Sequence, residues 1–181
     1  MHIIKTSLPD VLRVVPKKHG DDRGWFAEAF SKQTFEDLKL PTDYAQENQS
    51  FSRYGVLRGL HYQLGKPQGK LVRVLTGHIW DVAVDIRPAS PYFGRWVGVD
   101  LREESLEYLW IPEGFAHGFV VLSETANVLY KTTQPYYPDG ERAIRWNDPQ
   151  LAISWPLDHI LPAVSHKDAH APSLTEAELP Q

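Results

Sequence analysis

The sequence predicts an all-β, mainly antiparallel sandwich or barrel that forms a single domain over residues 1–181. Six Trp, eight Tyr and 14 Pro among 181 residues favour strands and turns over a helical bundle. Short runs of β-branched and aromatic residues, bounded by Gly, Pro and Asp, recur at close spacing. Helical periodicity is scarce, and many short strands without helices between them are typical of sandwiches and barrels.

The predicted strands follow one another closely along the middle of the chain. They cover residues 70–75, 79–86, 94–101, 107–111, 118–122 and 126–133. The first two flank Thr76-Gly77-His78, so they are predicted to form a hairpin that turns at Gly77.

Helix is predicted only in short peripheral segments. Ser31 can cap a segment with Phe35 and Leu38 on one face, and Ser173 with Glu176 resembles a capping box for a last turn through residue 179. The chain has neither βαβ alternation nor a glycine-rich phosphate loop. A nucleotide, if one binds, is therefore not held in the manner of a Rossmann fold or a P-loop.

Composition excludes several classes of function and compartment. A formal charge of −4 gives no overall attraction to nucleic acid or to an anionic membrane, so an anionic ligand needs a local cluster of Arg and Lys. The absence of Cys excludes disulfides and thiolate chemistry. No apolar run is long enough to span a bilayer or to form a signal-peptide core, which predicts a cytoplasmic protein.

The segment PEGFAHG, residues 112–118, resembles the second half-motif of cupins, which are small jelly-roll barrels. The first half-motif requires His-x-His followed by an acid, whereas the matching region LHYQL contains only His61. A stable transition-metal site needs about three protein ligands, which His61 and His117 do not supply. The sequence therefore predicts a barrel whose cavity works without a metal. The missing dinucleotide motif fits a reaction that needs no organic cofactor to carry hydride.

A lone His in such a cavity can serve as a general base, because imidazole titrates near pH ~6.5. The base needs an orienting carboxylate, for which Asp168 and Asp85 are both candidates. Lys70 is the candidate cation for a developing oxyanion, and Tyr130 is the candidate acid. The residues alone do not choose among these candidates, and each residue type also has ordinary roles in packing or at the surface.

Strand parity adds two expectations about this cavity. In a regular strand Tyr130 and Tyr136 share one face, so both phenols can point into one pocket. Arg58 and His61 lie on opposite faces of a regular strand. Both can reach one site only if a bulge interrupts the strand, and Gly59 is the predicted position for it.

Five blocks of sequence resemble the dTDP-4-dehydrorhamnose 3,5-epimerase family, in the family's order and over about residues 21–168. They are residues 55–63 (GVLRGLHYQ), 68–73 (QGKLVR), 110–119 (WIPEGFAHGF), 129–133 (LYKTT) and 145–149 (RWNDP). The resemblance implies a cupin-type jelly roll that forms a homodimer, with an N-terminal segment reaching towards the partner subunit. It also implies epimerisation of a dTDP-4-keto-6-deoxyhexose at carbons 3 and 5 in dTDP-L-rhamnose biosynthesis.

The resemblance also assigns roles by position. His61 would remove each proton beside the ketone, Asp168 would hold His61 in the right tautomer, Lys70 would stabilise the enolate, and Tyr130 would return a proton from the opposite face. Tyr136 matches the aromatic residue that stacks on thymine. The positions that bind the substrate nucleotide and diphosphate are matched by Arg23, Glu28, Gln46, Glu47, Asn48, Arg58, Lys70, His117, Glu141 and Lys167, with Glu47 standing where the family has Asp.

Three other functions compete with this one. A relative that inverts only carbon 3 or only carbon 5 would share all of these blocks. A non-catalytic cupin that binds a nucleotide sugar would lack the base, its orienting carboxylate or the acid, all of which are present. A metal-dependent cupin enzyme would need ligands that the first half-motif lacks.

Overall fold

A computed structural model of the chain describes residues 1–158 and 160–180. Every paired strand in it runs antiparallel to its neighbours. The strands are β1 (His2–Lys5), β2 (Leu12–Val15), β3 (Lys18–Asp21), β4 (Gly24–Ala27), β5 (Gln46–Arg53), β6 (Leu57–Gln63), β7 (Lys70–Thr76), β8 (His78–Asp85), β9 (Trp96–Arg102), β10 (Tyr108–Ile111), β11 (Phe115–Val121), β12 (Thr125–Thr132) and β13 (Glu141–Ala143).

Two sheets form the body of the fold. One contains six strands in the order β1-β2-β10-β7-β12-β5, and the other contains five in the order β13-β6-β11-β8-β9. Strands β3 and β4 form a separate two-stranded hairpin. This arrangement confirms the predicted all-β jelly roll, in which strands distant in sequence become neighbours in each sheet.

The inward faces of the two sheets share one hydrophobic core. Val72 and Val74 of β7 pack there with Ile79 and Ala83 of β8 and with Phe119 of β11, all of them buried. Because successive side chains of a strand point to opposite faces, these alternate residues define the inner face of each strand. The alternation determines which polar side chains enter the space between the sheets.

The predicted hairpin at Gly77 is wrong, although both of its strands exist. Strand β7 is paired on its two edges by β10 and β12, and β8 is paired by β11 and β9. With both edges of each strand occupied, β7 and β8 cannot pair with each other. Gly77 instead carries the chain from one sheet to the other with φ +87°, and a Cβ there would lie 2.2 Å from the Thr125 carbonyl oxygen.

No strand before residue 64 was predicted from its local pattern. Only β6 was anticipated, because residues 55–63 match the family. Strand β5, for example, reads QENQSFSR and has only one strongly apolar residue. Inward and outward side chains do alternate along β5, but the alternation shows only in the structure, where every second residue faces solvent. A strand whose inner face lines a polar cavity gives no hydrophobic period to detect.

Two short α-helices accompany the sheets in the described part of the chain, together with 3-10 turns at Glu103–Ser105 and Pro138–Gly140. The helix predicted after Ser31 is confirmed as α1 (Lys32–Asp37), with Phe35 fully buried. A second, α2 (His166–Ala169), was not predicted. At Ser173 the expected hydrogen bonds to Glu176 are present, but they stabilise a turn over residues 174–176 rather than a helix. None of the helices in the described residues is long and apolar enough to cross a membrane.

Candidate active site

A cavity of about 430 Å³ opens between the two sheets and collects most of the residues singled out in the sequence. Strands β5, β7 and β12 of one sheet contribute to it, as do β6, β11 and β13 of the other. Its wall includes His61, Lys70, Tyr130, Gln46, Asn48, Arg58, His117, Tyr136 and Glu141. Residues that lie up to 95 positions apart in this set are thus brought to one site by the jelly-roll topology.

His61, on β6, pairs with the carboxylate that the sequence could not choose. Its Nε2 lies 2.6 Å from Oδ1 of Asp168, whose Oδ2 accepts a hydrogen bond from the backbone N–H of Gly59 at 3.3 Å. Asp85, the other candidate, instead accepts hydrogen bonds from Arg87. The structure therefore selects Asp168 as the partner of His61.

Asp168 belongs to helix α2, which places its carboxylate beside His61. Ser165 caps the helix by accepting a hydrogen bond from the Asp168 backbone N–H at 3.1 Å. Burial raises the pKa of Asp168, but hydrogen bonds from His61 and Gly59 outweigh it, so the net pKa lies below the usual value. With Nε2 held by a carboxylate, the neutral His61 ring carries its lone pair on Nδ1.

The predicted bulge at Gly59 is confirmed. His117 of β11 lies opposite His61, and Phe119 lies opposite Arg58, so a step of three residues along β6 matches a step of two along β11. Gly59 has φ +127°, and a Cβ there would lie 2.5 Å from the Cα of Gly118. The extra residue reverses the side-chain parity and lets Arg58 and His61 line the same cavity.

Lys70 is buried beside the base. Its side chain donates a hydrogen bond to the His61 carbonyl oxygen at 3.1 Å. Burial lowers the pKa of Lys70 to about 8, although the charges of Asp81 and Glu141 act in the opposite direction. Lys70 therefore keeps a cation at the cavity in neutral solution and can lose it within an accessible pH range.

Tyr130 approaches from the other sheet. It belongs to β12, whereas His61 belongs to β6, so the two side chains line opposite walls of the cavity. In the register of β12 and β5, Tyr130 lies directly across from Asn48. Burial raises the pKa of the Tyr130 phenol, and the nearby Arg58 partly offsets this effect. The phenol therefore stays protonated in neutral solution and can donate a proton.

A second His–Asp pair lies in the same cavity. Nε2 of His117 lies 2.9 and 3.0 Å from the two carboxylate oxygens of Asp81, which is completely buried. Asp81 was not among the site residues predicted from the sequence. The signal was a carboxylate on the inner face of β8 between the apolar residues Ile79 and Ala83, where an unpaired charge is costly.

One end of the cavity carries a cluster of polar contacts. Glu141 accepts a hydrogen bond from the Tyr136 hydroxyl at 2.8 Å and pairs with Lys167 at 2.5 Å. The backbone N–H of Tyr136 donates to Gln46 at 2.8 Å, and Gln46 in turn donates to Asn48 at 2.7 Å. Lys167 lines an adjoining cavity of about 380 Å³, which shares Arg58, His61 and Glu141 with the first.

Tyr130 and Tyr136 line the same cavity, but strand alternation is not the reason. Strand β12 ends at Thr132, and a loop follows it. The assumption of one regular strand through Tyr136 is therefore wrong. The loop presents Tyr136 at the cavity edge through its hydrogen bond with Gln46.

Glu47 does not line the cavity. In β5 the side chains of Gln46 and Asn48 face inward, so Glu47 between them faces outward. It pairs with Lys131 of β12 across a distance of 3.7 Å. The match to the family at this position therefore does not translate into a cavity contact within the chain.

Arg23 and Glu28 also lie away from the cavity of their own chain. Arg23 sits on the β3–β4 hairpin with 89% of its side chain exposed, and it pairs with Asp21 at 2.5 Å. Glu28 accepts a hydrogen bond from the Thr34 hydroxyl at 3.0 Å. Trp25 on the same hairpin is more than half exposed.

The arrangement suits removal of a proton beside a carbonyl group. It combines a base oriented by a carboxylate, a buried cation beside that base, and a phenol on the opposite wall. Within residues 1–158 and 160–180, no three His, Asp or Glu side chains form a cluster that could hold a metal ion.

Comparison with known proteins agrees with this geometry. Residues 5–176 match the family model described as dTDP-4-dehydrorhamnose 3,5-epimerase. The dTDP-4-dehydrorhamnose 3,5-epimerase of Salmonella typhimurium is 54% identical, over 99% of this chain and 98% of that protein. The crystal structure of dTDP-6-deoxy-D-glucose-3,5-epimerase from Legionella pneumophila Philadelphia 1, in complex with dTDP-4-keto-L-rhamnose, is 49% identical with a TM-score of 0.94. It covers 99% of this chain and 97% of that chain.

Proposed function

Because the chain belongs to the dTDP-4-dehydrorhamnose 3,5-epimerase family, we propose that its cavity carries out that epimerisation with His61 as base and Tyr130 as acid. The enzyme is an isomerase that converts dTDP-4-keto-6-deoxy-D-glucose to dTDP-4-keto-L-rhamnose. The observation that carries the assignment of roles is the placement of the His61–Asp168 pair and Tyr130 on opposite walls around Lys70.

In the first step His61 removes the proton from the carbon beside the ketone. Nδ1 accepts the proton, while Asp168 holds the ring through Nε2 and stabilises the imidazolium that forms. The ketone already acidifies carbons 3 and 5, so one base can serve both positions in turn. Between the two inversions the His61 imidazolium releases its proton to water and the Tyr130 phenolate takes one up. The negative charge moves to the oxygen on carbon 4, where the Lys70 ammonium stabilises the enolate.

Inversion requires that the proton return from the other face of the sugar. Tyr130 is suited to this step, because it lies on the opposite sheet from His61 and its raised pKa keeps it protonated. Return of a proton by His61 itself would exchange the hydrogen without inverting the carbon. A proton returned from the wall of His61 thus gives hydrogen exchange, and a proton returned from the wall of Tyr130 gives epimerisation.

The nucleotide end of the substrate is assigned to the polar cluster around Glu141. Tyr136 offers an aromatic ring there for stacking on thymine. Arg58 and His117 are the proposed partners of the diphosphate, since an Arg fork matches phosphate oxygens. Binding energy from the nucleotide then orients the sugar at His61.

The protein is further proposed to act as a homodimer. The β3–β4 hairpin projects Arg23 and the exposed ring of Trp25 away from the cavity of its own chain. In a dimer the hairpin can complete the nucleotide site of the partner subunit, which would explain why Arg23 matches a binding position of the family. Light scattering during gel filtration tests the assembly, and loss of dTDP affinity in Arg23→Ala tests the contact.

A cytoplasmic location, predicted from the sequence, remains part of the proposal. It is checked by fractionating cells that express the tagged protein. Recovery in the periplasmic fraction would contradict it.

The test of the reaction is proton NMR of dTDP-4-keto-6-deoxyglucose incubated with the protein in heavy water. We expect deuterium at carbons 3 and 5 and a product that a rhamnose-forming reductase accepts. Label at one carbon only would indicate a mono-epimerase. No label, together with retained dTDP binding, would indicate a non-catalytic nucleotide-sugar-binding protein.

A further inference from the structure

Ser50 stands out among the polar residues of the catalytic cavity. Within the described residues, four buried side-chain atoms have no hydrogen-bond partner: Tyr44 Oη, Ser50 Oγ, Arg73 Nε and Arg145 Nε. Of these four residues, Ser50 alone belongs to the wall of the 430 Å³ cavity. An unpaired buried hydroxyl costs free energy, so its position in an active-site wall calls for an explanation.

The neighbours of Ser50 on the inner face of β5 all have partners. Gln46 accepts from the Tyr136 backbone, Asn48 accepts from Gln46, and Ser52 accepts from Arg58 at 3.0 Å. Two residues of a strand span about 7 Å, so Ser50 lies within one such step of both Asn48 and Ser52. It therefore sits between the residue across from Tyr130 and the residue that holds Arg58.

We propose that Ser50 is a substrate-binding residue whose hydroxyl donates a hydrogen bond to an oxygen of the bound nucleotide sugar. The acceptor is either a diphosphate oxygen beside Arg58 or a hexose oxygen beside Tyr130. Oγ is covered from water, so the contact forms when χ1 rotation turns the hydroxyl into the cavity. That rotation breaks no hydrogen bond within the described residues. This inference rests on the proposed epimerase function.

A substrate contact and a structural contact make opposite predictions for Ser50→Ala. If the hydroxyl stabilised the fold, its removal would lower the melting temperature of the ligand-free protein. If it is unpaired until substrate binds, its removal leaves the melting temperature unchanged or raises it, because a buried group without a partner is lost. The cost then appears only with substrate, as a decrease in kcat/KM of about three- to tenfold.

The experiment compares the full-length wild type, Ser50→Ala and the control Gln49→Ala. Gln49 is the adjacent residue on the outer, exposed face of β5. Thermal unfolding without ligand, kcat/KM for dTDP-4-keto-6-deoxyglucose, and the Kd of dTDP are measured for each protein. Weaker dTDP binding in Ser50→Ala indicates the diphosphate as acceptor, and unchanged dTDP binding with a lower kcat/KM indicates the hexose.

A melting temperature lowered by Ser50→Ala, or a kcat/KM equal to that of the wild type, would overturn the proposal. If the wild type itself fails to turn over this substrate, the proposed function fails instead. In that event the Kd of dTDP and the Kd of the unreacted dTDP-4-keto-6-deoxyglucose are compared. A weaker Kd for either in Ser50→Ala supports the contact, and unchanged values for both overturn it.

Discussion

The cavity contains two His–Asp pairs whose histidines face each other across neighbouring strands, yet the pairs differ in access to solvent. The His61 side chain is 35% exposed and its partner Asp168 is 4% exposed. The corresponding values are 9% for His117 and 0% for Asp81. The two pairs also differ in origin, since Asp168 comes from helix α2 and Asp81 comes from the adjacent strand β8.

Under the proposed mechanism, the access of each ring to substrate, rather than the His–Asp pair itself, distinguishes the catalytic pair from the binding pair. A general base must reach the substrate and later return its proton, which requires an open ring nitrogen. His61 meets that condition. His117 is held by a fully buried carboxylate, so its ring is suited to a fixed hydrogen-bonding role, which the proposed function places at the diphosphate.

The largest contrast is expected between His61→Asn and His117→Asn. Removing the base should lower kcat by about 10³-fold or more, since general base catalysis contributes roughly 10²–10⁴-fold and both epimerisations depend on it. His117→Asn should chiefly raise KM and the Kd of dTDP. Turnover by NMR and calorimetric dTDP binding check these expectations, and equal loss of kcat in both variants would remove the distinction between the two pairs.

A smaller contrast is expected between the carboxylates. Asp168→Asn should reduce kcat about 10²-fold, because an amide no longer holds His61 in the reactive tautomer or stabilises its cation. Asp81→Asn should weaken dTDP binding roughly tenfold while kcat changes less. Circular dichroism and thermal unfolding serve as controls for folding. A larger loss of kcat in Asp81→Asn would transfer the catalytic role to the second pair.

Tyr130→Phe should separate hydrogen exchange by the His61–Asp168 pair from inversion of the sugar carbon. The variant keeps the His61–Asp168 pair, so deuterium should still enter carbons 3 and 5 from heavy water. Inversion should fall by about 10²-fold or more, because the opposite wall then lacks a proton donor. Proton NMR measures label and configuration in one sample, and a proportional loss of both would contradict the assignment of Tyr130 as the acid.

The smallest effect concerns Lys70, which connects the two pairs. It donates to the backbone of His61 and is attracted by the charge of Asp81. Its pKa of about 8 means that the ammonium is present below that pH and lost above it, so kcat should fall as pH rises through about 8. In Asp81→Asn this attraction is removed, so the pKa of Lys70 should fall. The decrease of kcat at alkaline pH, the alkaline limb of the rate profile, should then move to lower pH.

Rate profiles between pH 6 and pH 10 test the role of Lys70, with Lys70→Arg as the matched control. Arg keeps its charge throughout this range, so any remaining activity of that variant should lack the limb near pH 8. A limb that persists unchanged in Lys70→Arg would assign the titration to another group.

Local sequence features predicted much of the strand pattern but not its pairing. The segments 70–75 and 79–86 are β7 and β8 to within a residue or so, yet their predicted hairpin is wrong. A Gly between two strands is equally compatible with a hairpin turn and with a crossover between sheets. The outcome depends on which strands occupy the remaining edges, and that is fixed by distant residues.

The bulge at Gly59, unlike the hairpin at Gly77, was predicted correctly from the sequence. Parity within one strand required an irregularity if Arg58 and His61 were to share a site, and the register shift opposite β11 provides it. Parity within β12 misled, because that strand ends at Thr132 before reaching Tyr136. Alternation is reliable only as far as the strand extends, and neighbouring strands determine that extent.

Local periodicity and contiguous motifs were sufficient to predict the fold class, the family and the residue types available for acid–base chemistry. The folded chain was needed to show that Asp168 rather than Asp85 pairs with His61, that Asp81 pairs with His117, and that Glu47 faces away from the cavity. Hydrogen-bond partners, burial and pKa shifts depend on distances between residues remote in sequence, and those distances are set only when the strands and helix α2 pack together.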